Sequence, residues 1–252
     1  MAKHTGLVRV IVGTTVCVAV GLSATTASAQ WTLSLPPPVQ TASYFAADNI
    51  GREVAEENSN TENDPIRSKV TAPVSSLTYT PSSSRTRANM QAFIAHAEKQ
   101  NPGNGAQLQL LVNSMDVIGT VSGAINQLGL DPNNVADVYA IYWIVYWGLA
   151  NRYYDDPSPA SYRAVANQAA RGFASSPEFV ASSDADKQKM AEELMLNILY
   201  FSSIAEEAKT NKAVADQFAK ASMEGSRKSG LELDKMTLTE DGFVPKSKTT
   251  GG

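Results

Sequence analysis

The sequence predicts an all-α protein: a compact bundle of about six or seven helices around a central aromatic helix, with extended N- and C-terminal arms. Apolar residues recur at helical spacing through most of residues 82–230. No strand-like alternation of any length interrupts them. The connections between the apolar segments are short and marked by Pro or Gly, which favours antiparallel neighbouring helices.

Residues 131–150 predict the central helix. Asp131 suits the N-cap and Pro132 the first helical position. No charged residue follows between 138 and 150, and five aromatic residues fall on one side of the helix: Tyr139, Tyr142, Trp143, Tyr146 and Trp147. A helix that is apolar all round must be surrounded by protein or lipid, and this one is shorter than the ~20 residues of a bilayer span. We therefore interpret it as the core of a soluble domain.

Residues 1–29 predict a signal peptide. Lys3 and Arg9 form a positive n-region, residues 10–20 an apolar segment, and Ala27-Ser28-Ala29 a cleavage site. We expect a bacterial protein that is periplasmic or secreted after cleavage near Ala29. Cleavage would remove Cys17, the only cysteine, so no disulfide and no thiolate site is expected in the mature chain.

The charge balance also limits the function. Removal of residues 1–29 takes away two of the 21 basic residues and none of the 25 acidic ones, so the formal net charge changes from −4 to −6. An acidic chain lacks the basic footprint of a nucleic-acid-binding protein. We expect no nucleic-acid partner and no transmembrane segment in the mature chain.

The remaining elements follow in chain order. Residues 30–76 predict a flexible N-terminal arm that contains three consecutive prolines, residues 77–246 the helical domain, and residues 247–252 a disordered tail. Besides the central helix, apolar spacing predicts helices at about 108–112, 117–128, 159–173 and 184–208. A first helix is expected from Pro81, with Thr80 as its cap, to about Lys99, and a last helix is expected after Asn211 as its cap, ending near 225–230. Pro159 is expected to open one helix, and Ser183 with Asp186 to form a capping box. Residues 231–244 are expected to lie back on the bundle as an extended segment.

Polar residues offer few catalytic patterns. Asp137 is interpreted as capping its own helix or pairing with an arginine such as Arg85 or Arg87, with a ligand role as the alternative. Glu192 and Glu193 are assigned to a solvated face, and the charged and aromatic residues 152–156 to surface turn chemistry. His96 is the only histidine beyond the leader, so neither a zinc site of usual composition nor a serine triad is supported. We expect no metal and no cofactor.

Two motifs resemble a known family. Tyr79-Thr80-Pro81-Ser82 is followed by Arg85 and Asn89, and Asn133-Asn134-Val135-Ala136-Asp137 leads into Tyr139-Ala140 and Tyr142-Trp143. This pattern, with a closing segment at residues 231–243, resembles a family of uncharacterised exported bacterial proteins known as a domain of unknown function. The resemblance covers about residues 77–245. It implies an exported helical domain and no activity, substrate or catalytic residue.

The function expected from the sequence is binding or assembly in the cell envelope, with an unknown envelope or extracellular protein or a small ligand as partner. One alternative is an envelope-associated hydrolase with an unrecognised carboxylate site, which predicts a polar cleft that holds at least two carboxylates. The other is a carrier of a small apolar ligand, which predicts a cavity of some hundreds of Å³ beside Trp143 and Trp147. The candidate ligand or partner residues are Tyr79, Arg85, Asn89, Asn134, Asp137, Tyr142 and Trp143; no catalytic residue is assigned.

Overall fold

A computed structural model of the chain describes residues 74–100, 102–228 and 231–246. The predicted signal peptide, nearly all of the predicted N-terminal arm and the predicted tail lie outside these residues. Within them the fold is helical, as predicted, and has one two-stranded sheet. The helices are α1 (Ser83–Gln100), α2 (Asn104–Ser114), α3 (Val117–Gln127), α4 (Val135–Asn151), α5 (Pro159–Ala174), α6 (Pro177–Val180), α7 (Asp184–Ala208) and α8 (Lys212–Lys228).

Helix α4 is the centre of the bundle, as the sequence predicts. Helices α5, α7 and α8 pack around it, and thirteen of its residues are buried. The predicted start at Asp131 is wrong, because the helix begins at Val135 and Asn134 is its N-cap. The Asn134 side chain accepts the N–H of Ala136 at 3.0 Å, while the Asp131 side chain accepts the N–H of Asn133 at 2.8 Å and forms a local turn.

The predicted opening of α1 at Pro81 is wrong, because α1 begins at Ser83. Two other predicted helix starts are confirmed. Ser158 caps α5 and Pro159 is its first residue. Ser183 and Asp186 form the capping box of α7, which at 25 residues is the longest helix described. Both starts depend on residues within one turn of each other, so the local sequence is sufficient to specify them.

The C-terminal segment lies on the bundle, as expected, but it is a β-hairpin. Strand β1 (Met236–Thr239) pairs antiparallel with β2 (Gly242–Pro245). The Trp147 indole N–H donates to the Met236 carbonyl at 3.1 Å, and the Gln168 side-chain amide exchanges two hydrogen bonds of 3.0 Å with the backbone of Phe243. The hairpin is therefore bound to both α4 and α5 through buried polar groups.

No helix among the described residues is, by itself, long and apolar enough to cross a membrane. Residues Leu108–Ser114 and Val117–Gln127 meet the length and composition criteria only when taken together, and their axes are bent by 70°.

Candidate functional site

The candidate residues Tyr79 and Asn134 lie where the segment before α1 crosses the start of α4. The Tyr79 N–H donates to the Asn133 carbonyl at 3.1 Å, and the Val135 N–H donates to the Leu77 carbonyl at 3.0 Å. The Tyr79 hydroxyl donates to the Pro132 carbonyl at 3.2 Å. Burial raises the pKa of this hydroxyl, so it remains a donor. These contacts attach the N-terminal segment of the domain to its central helix.

The candidate residues Arg85 and Asn89 lie on α1 and face α7. Glu192 of α7 accepts hydrogen bonds from Thr86 Oγ1 at 2.6 Å, Asn89 Nδ2 at 2.6 Å and Gln188 Nε2 at 2.8 Å. Arg85 Nε donates to Gln188 Oε1 at 2.7 Å. We call these five side chains the polar clasp, because they join α1 to α7.

The polar clasp corrects the assignment of Glu192 to a solvated face. Glu192 is 2 % exposed and Gln188 is fully buried, since α1 covers this side of α7. Both Glu192 carboxylate oxygens and both ends of the Gln188 amide have partners. A satisfied buried network of this kind stabilises one packing of two helices. Whether Arg85 and Asn89 also bind a ligand or partner stays a prediction.

Asp137 does not pair with Arg85 or Arg87, so the two arginines that the sequence suggested are wrong. Arg85 is occupied in the polar clasp, and Asp137 Oδ2 accepts the N–H of Asp131 at 2.8 Å. Burial raises the pKa of the Asp137 carboxyl, while this hydrogen bond and the positive charge of Arg163 oppose the change. Asp137 therefore stabilises the loop before α4.

Glu193 is also buried, which contradicts its assignment to a solvated face. Its Oε2 atom has no hydrogen-bond partner among the described residues, and Lys189 Nζ lies 3.9 Å from Oε1. Burial raises the pKa of Glu193 to about 7. Because adjacent helical residues point about 100° apart, Glu192 and Glu193 do not face one substrate position. Glu192 and Glu193 therefore do not form the carboxylate pair that the hydrolase alternative predicts.

Tyr142 and Trp143 lie in the core. The ring of Tyr142 stacks on that of Tyr146 with centroids 5.7 Å apart and an interplanar angle of 11°. Trp143 meets both tyrosine rings edge-on, at 5.4 and 5.7 Å. Trp143 is 3 % exposed and its Nε1 atom has no partner among the described residues. These ring contacts are those of a packed core, whereas the apolar-carrier alternative predicts a cavity beside Trp143 and Trp147.

A small cleft opens on the other side of α4, under the connection to α5. Its accessible volume is about 30 Å³. Its floor consists of apolar atoms from α4, α5 and α7, which include Ile144, Val145, Tyr162 and Ala205. The connection itself, residues 153–157, forms the rim. We call this feature the tyrosine cleft.

The rim of the tyrosine cleft combines aromatic rings with acidic groups. The Tyr154 hydroxyl is buried and has no hydrogen-bond partner among the described residues. Asp155 and Asp156 also line the cleft and are exposed, and Tyr153 is 42 % exposed. The charges that act on the Tyr154 hydroxyl are those of Arg152 and Asp216, while Asp156 acts on Tyr162. Arg152 is held by Asp216 through an ion pair of 2.8 Å. From the sequence, residues 152–156 were assigned to surface turn chemistry. The signal that could have identified the cleft was the combination of charged and aromatic residues within this short segment.

Backbone geometry fixes the rim close to α4. Arg152 adopts φ 54°, which ends the helix and turns the chain back along it. A Cβ atom at Gly148 would lie 2.7 Å from the Tyr153 carbonyl oxygen. Glycine at this position therefore allows the rim to approach α4.

Comparison with known proteins places the chain in a family. Residues 39–246 match the model described as "Family of unknown function (DUF6683)". The chain belongs to this family. The match agrees with the resemblance based on the two motifs, and it assigns no function. No curated protein and no solved structure gives a significant match.

Proposed function

We propose that the protein is an exported binding protein whose tyrosine cleft accepts the terminal ammonium group of an amine. The observation that carries this proposal is the buried, unpartnered hydroxyl of Tyr154 in a cleft that Asp155 and Asp156 also line. A buried polar atom without a partner is costly, and a ligand that donates a hydrogen bond to it removes that cost. An ammonium group is such a donor and carries no acceptor.

The charge and the rings favour a cation over a neutral or anionic ligand. Three tyrosines, Tyr153, Tyr154 and Tyr162, line the cleft together with two aspartates. The faces of aromatic rings attract cations, and desolvation strengthens that attraction. The chain as a whole carries a formal net charge of −4, which adds a long-range attraction for cations.

The size of the cleft restricts the group that enters. A volume of 30 Å³ corresponds to about two water-sized probes. An ammonium nitrogen with one or two methylene groups fits this space, whereas a sugar ring does not. Burial raises the pKa of the Tyr154 hydroxyl, so the hydroxyl stays neutral and accepts the ammonium proton with its oxygen lone pair. The apolar floor then contacts the methylene groups.

Calorimetric titration of the purified protein with propylammonium tests the proposal. We expect propylammonium to bind and 1-propanol, which has a similar shape and no charge, not to bind. Tyr154→Phe should weaken binding about fivefold, since it removes one hydrogen bond of about 1 kcal/mol. Asp241→Asn, at an exposed turn far along the chain, is the control and should leave affinity unchanged. Equal heats for propylammonium and propanol would exclude an ammonium site.

The source of the ammonium group is decided by a second titration. A short peptide with one lysine and its acetyl-lysine counterpart present the same methylene chain with and without charge. Binding of the lysine peptide more tightly than propylammonium would identify a protein partner. Tighter binding of the free amine would identify a small-molecule ligand.

The site of action is part of the proposal. We infer that residues 1–29 direct export and are removed near Ala29, so that the cleft faces the periplasm or the medium. The charged n-region, apolar segment and small-residue cleavage site support this inference. Mass spectrometry of the N-terminal peptide from each cell fraction tests it. A mature protein that begins at Gln30 outside the cytoplasm is the expected result, and an intact N-terminus in the cytoplasm would contradict it.

A further inference from the structure

A group of three charged side chains joins the end of α4 to the start of α8. Arg152 is the C-cap of α4, Lys212 is the first residue of α8, and Asp216 lies one turn further along α8. Asp216 binds both cations: one of its oxygens accepts Arg152 Nη2 at 2.8 Å, and the other pairs with Lys212 Nζ. All three side chains are at least 45 % exposed. We call this group the cationic triad, because its two positive charges exceed its one negative charge.

The charges of the cationic triad act on the tyrosine cleft. Arg152 immediately precedes the rim in the chain. Burial raises the pKa of the Tyr154 hydroxyl, the charge of Arg152 opposes this change, and the charge of Asp216 adds to it. Burial also raises the pKa of Tyr162, and there the charge that adds to the change is that of Asp156. The two tyrosine hydroxyls of the cleft are therefore under the influence of different charged groups, an arginine–aspartate pair at one and a lone aspartate at the other.

Arg152 has donors that the cationic triad does not use. A guanidinium group carries five N–H donors, and among the described residues the side chain of Arg152 donates from Nη2 alone, to Asp216. The hydrogen bond from Lys212 lowers the pKa of the Asp216 carboxyl, so this carboxylate stays ionised and is shared between two cations. A planar guanidinium binds a carboxylate through two parallel hydrogen bonds. Arg152 therefore has the free groups to bind a second carboxylate.

We propose that the ligand of the tyrosine cleft is a short amino acid, whose ammonium group enters the cleft and whose carboxylate binds Arg152. This inference rests on the proposed function, since it assigns the other end of the same ligand. The cleft volume of about 30 Å³ accepts an ammonium nitrogen with one or two methylene groups. The carboxylate of such a ligand lies at the rim, next to the cationic triad.

The charges of the cationic triad favour an amino acid over a simple amine. An amine brings another positive charge towards Arg152, and like charges repel each other. A carboxylate on the same ligand replaces that repulsion with an attraction. Asp155 and Asp156, which line the cleft, supply the negative charge that the ammonium end requires.

Calorimetric titration of the purified protein with β-alanine, propylammonium and β-alaninamide tests the proposal. β-Alanine and propylammonium share an ammonium group and two methylene groups, and they differ in a carboxylate that replaces a methyl group. We expect β-alanine to bind about fivefold more tightly, which is the strength of a favourable exposed ion pair. β-Alaninamide has nearly the same shape and no negative charge, so it should bind no more tightly than propylammonium.

The titrations distinguish this inference from the proposed function. If propylammonium binds and β-alanine binds equally or more weakly, the assignment of the carboxylate to Arg152 is wrong and the ammonium site stands. If none of the three compounds binds, the proposed function is wrong and the inference fails with it.

Two variants that break the same ion pair should change the affinity for β-alanine in opposite directions. Arg152→Gln removes the group that binds the carboxylate and should weaken β-alanine binding about fivefold without weakening propylammonium binding. Asp216→Asn removes the competing carboxylate and should strengthen β-alanine binding about twofold. Lys220→Gln removes a positive charge at an exposed position of α8 and is the control, which should leave both affinities unchanged. Equal weakening of β-alanine binding in Arg152→Gln and Asp216→Asn would give the ion pair a structural role and overturn the proposal.

Discussion

The polar clasp and the tyrosine cleft both contain carboxylates and hydrogen-bonding side chains, but they differ in the exposure of the carboxylates and in whether a buried hydroxyl group has a partner. In the clasp, Glu192 is 2 % exposed and both of its oxygens accept hydrogen bonds. In the cleft, Asp155 and Asp156 are exposed, and the Tyr154 hydroxyl has no partner among the described residues.

The difference separates a structural role from a binding role. A satisfied buried network stabilises the fold, and its loss leaves several groups unpaired. An unpartnered group on a rigid rim costs stability and is available to a ligand. Variants of the clasp should therefore change the free energy of unfolding, whereas variants of the cleft rim should change binding alone.

The largest expected effect is at the clasp. Glu192→Ala leaves three donors without their acceptor and should lower the free energy of unfolding by about 3 kcal/mol or more. Denaturation in urea measures this change. Glu207→Ala, at an exposed position of the same helix, is the matched control and should cost less than about 1 kcal/mol. Equal losses of unfolding free energy in the two variants would contradict a structural role of the clasp.

Substitution of the neighbouring carboxylate, Glu193, should raise the free energy of unfolding at high pH, whereas substitution of Glu192 lowers it. Because the pKa of Glu193 is raised to about 7, the folded state binds its proton more tightly than the unfolded state, whose pKa is about 4.5. Its contribution to stability is therefore fully present below pH 4.5 and is lost as pH rises through 7. Glu193→Gln should stabilise the protein at pH 8 by up to about 3 kcal/mol and have little effect at pH 4. A pH-independent difference between the two proteins in urea denaturation would contradict this assignment.

A smaller effect is expected at the loop before α4. Asp137→Ala removes the acceptor of the Asp131 N–H and should lower the free energy of unfolding by about 1 kcal/mol. Thermal unfolding monitored by circular dichroism measures it. A loss above about 3 kcal/mol would contradict the assignment of a single hydrogen bond to this carboxylate.

The smallest effect on stability is expected at the cleft rim. Asp155→Asn combined with Asp156→Asn should change the melting temperature by less than about 2 °C, since both side chains are exposed. The same variant should weaken propylammonium binding about fivefold, because the rim loses two negative charges. If the double variant unfolded at a lower temperature and still bound propylammonium normally, the rim aspartates would have a structural role and not a binding role.

The sequence predicted the features that depend on neighbouring residues. The aromatic helix, the cap at Ser158 and the capping box at Ser183 are all specified within a few positions. The prediction from sequence failed where contact with a distant segment overrides the local preference for a helix start. The start of α4 differs from the prediction because the carbonyls of Pro132 and Asn133 bind Tyr79, a contact between residues 53 positions apart.

The candidate sites were harder to predict for the same reason. Glu192 and Glu193 have the composition of a solvated face, and only the packing of α1 and α7 shows that they are buried. The tyrosine cleft joins residues of α4, α5 and α7, and no spacing within one segment brings them together. The β-hairpin was expected as an extended segment, but its pairing requires a turn at residues 240–241 that we did not assign from the sequence.

The most direct test of this account measures stability and propylammonium affinity on the same two variants, Glu192→Gln and Tyr154→Phe. We expect Glu192→Gln to lower the free energy of unfolding and, at a temperature where it is folded, to bind propylammonium as the unaltered protein does. Tyr154→Phe should retain its stability and lose affinity. Loss of affinity in Glu192→Gln together with unchanged binding by Tyr154→Phe would place the binding site at the clasp and contradict the account.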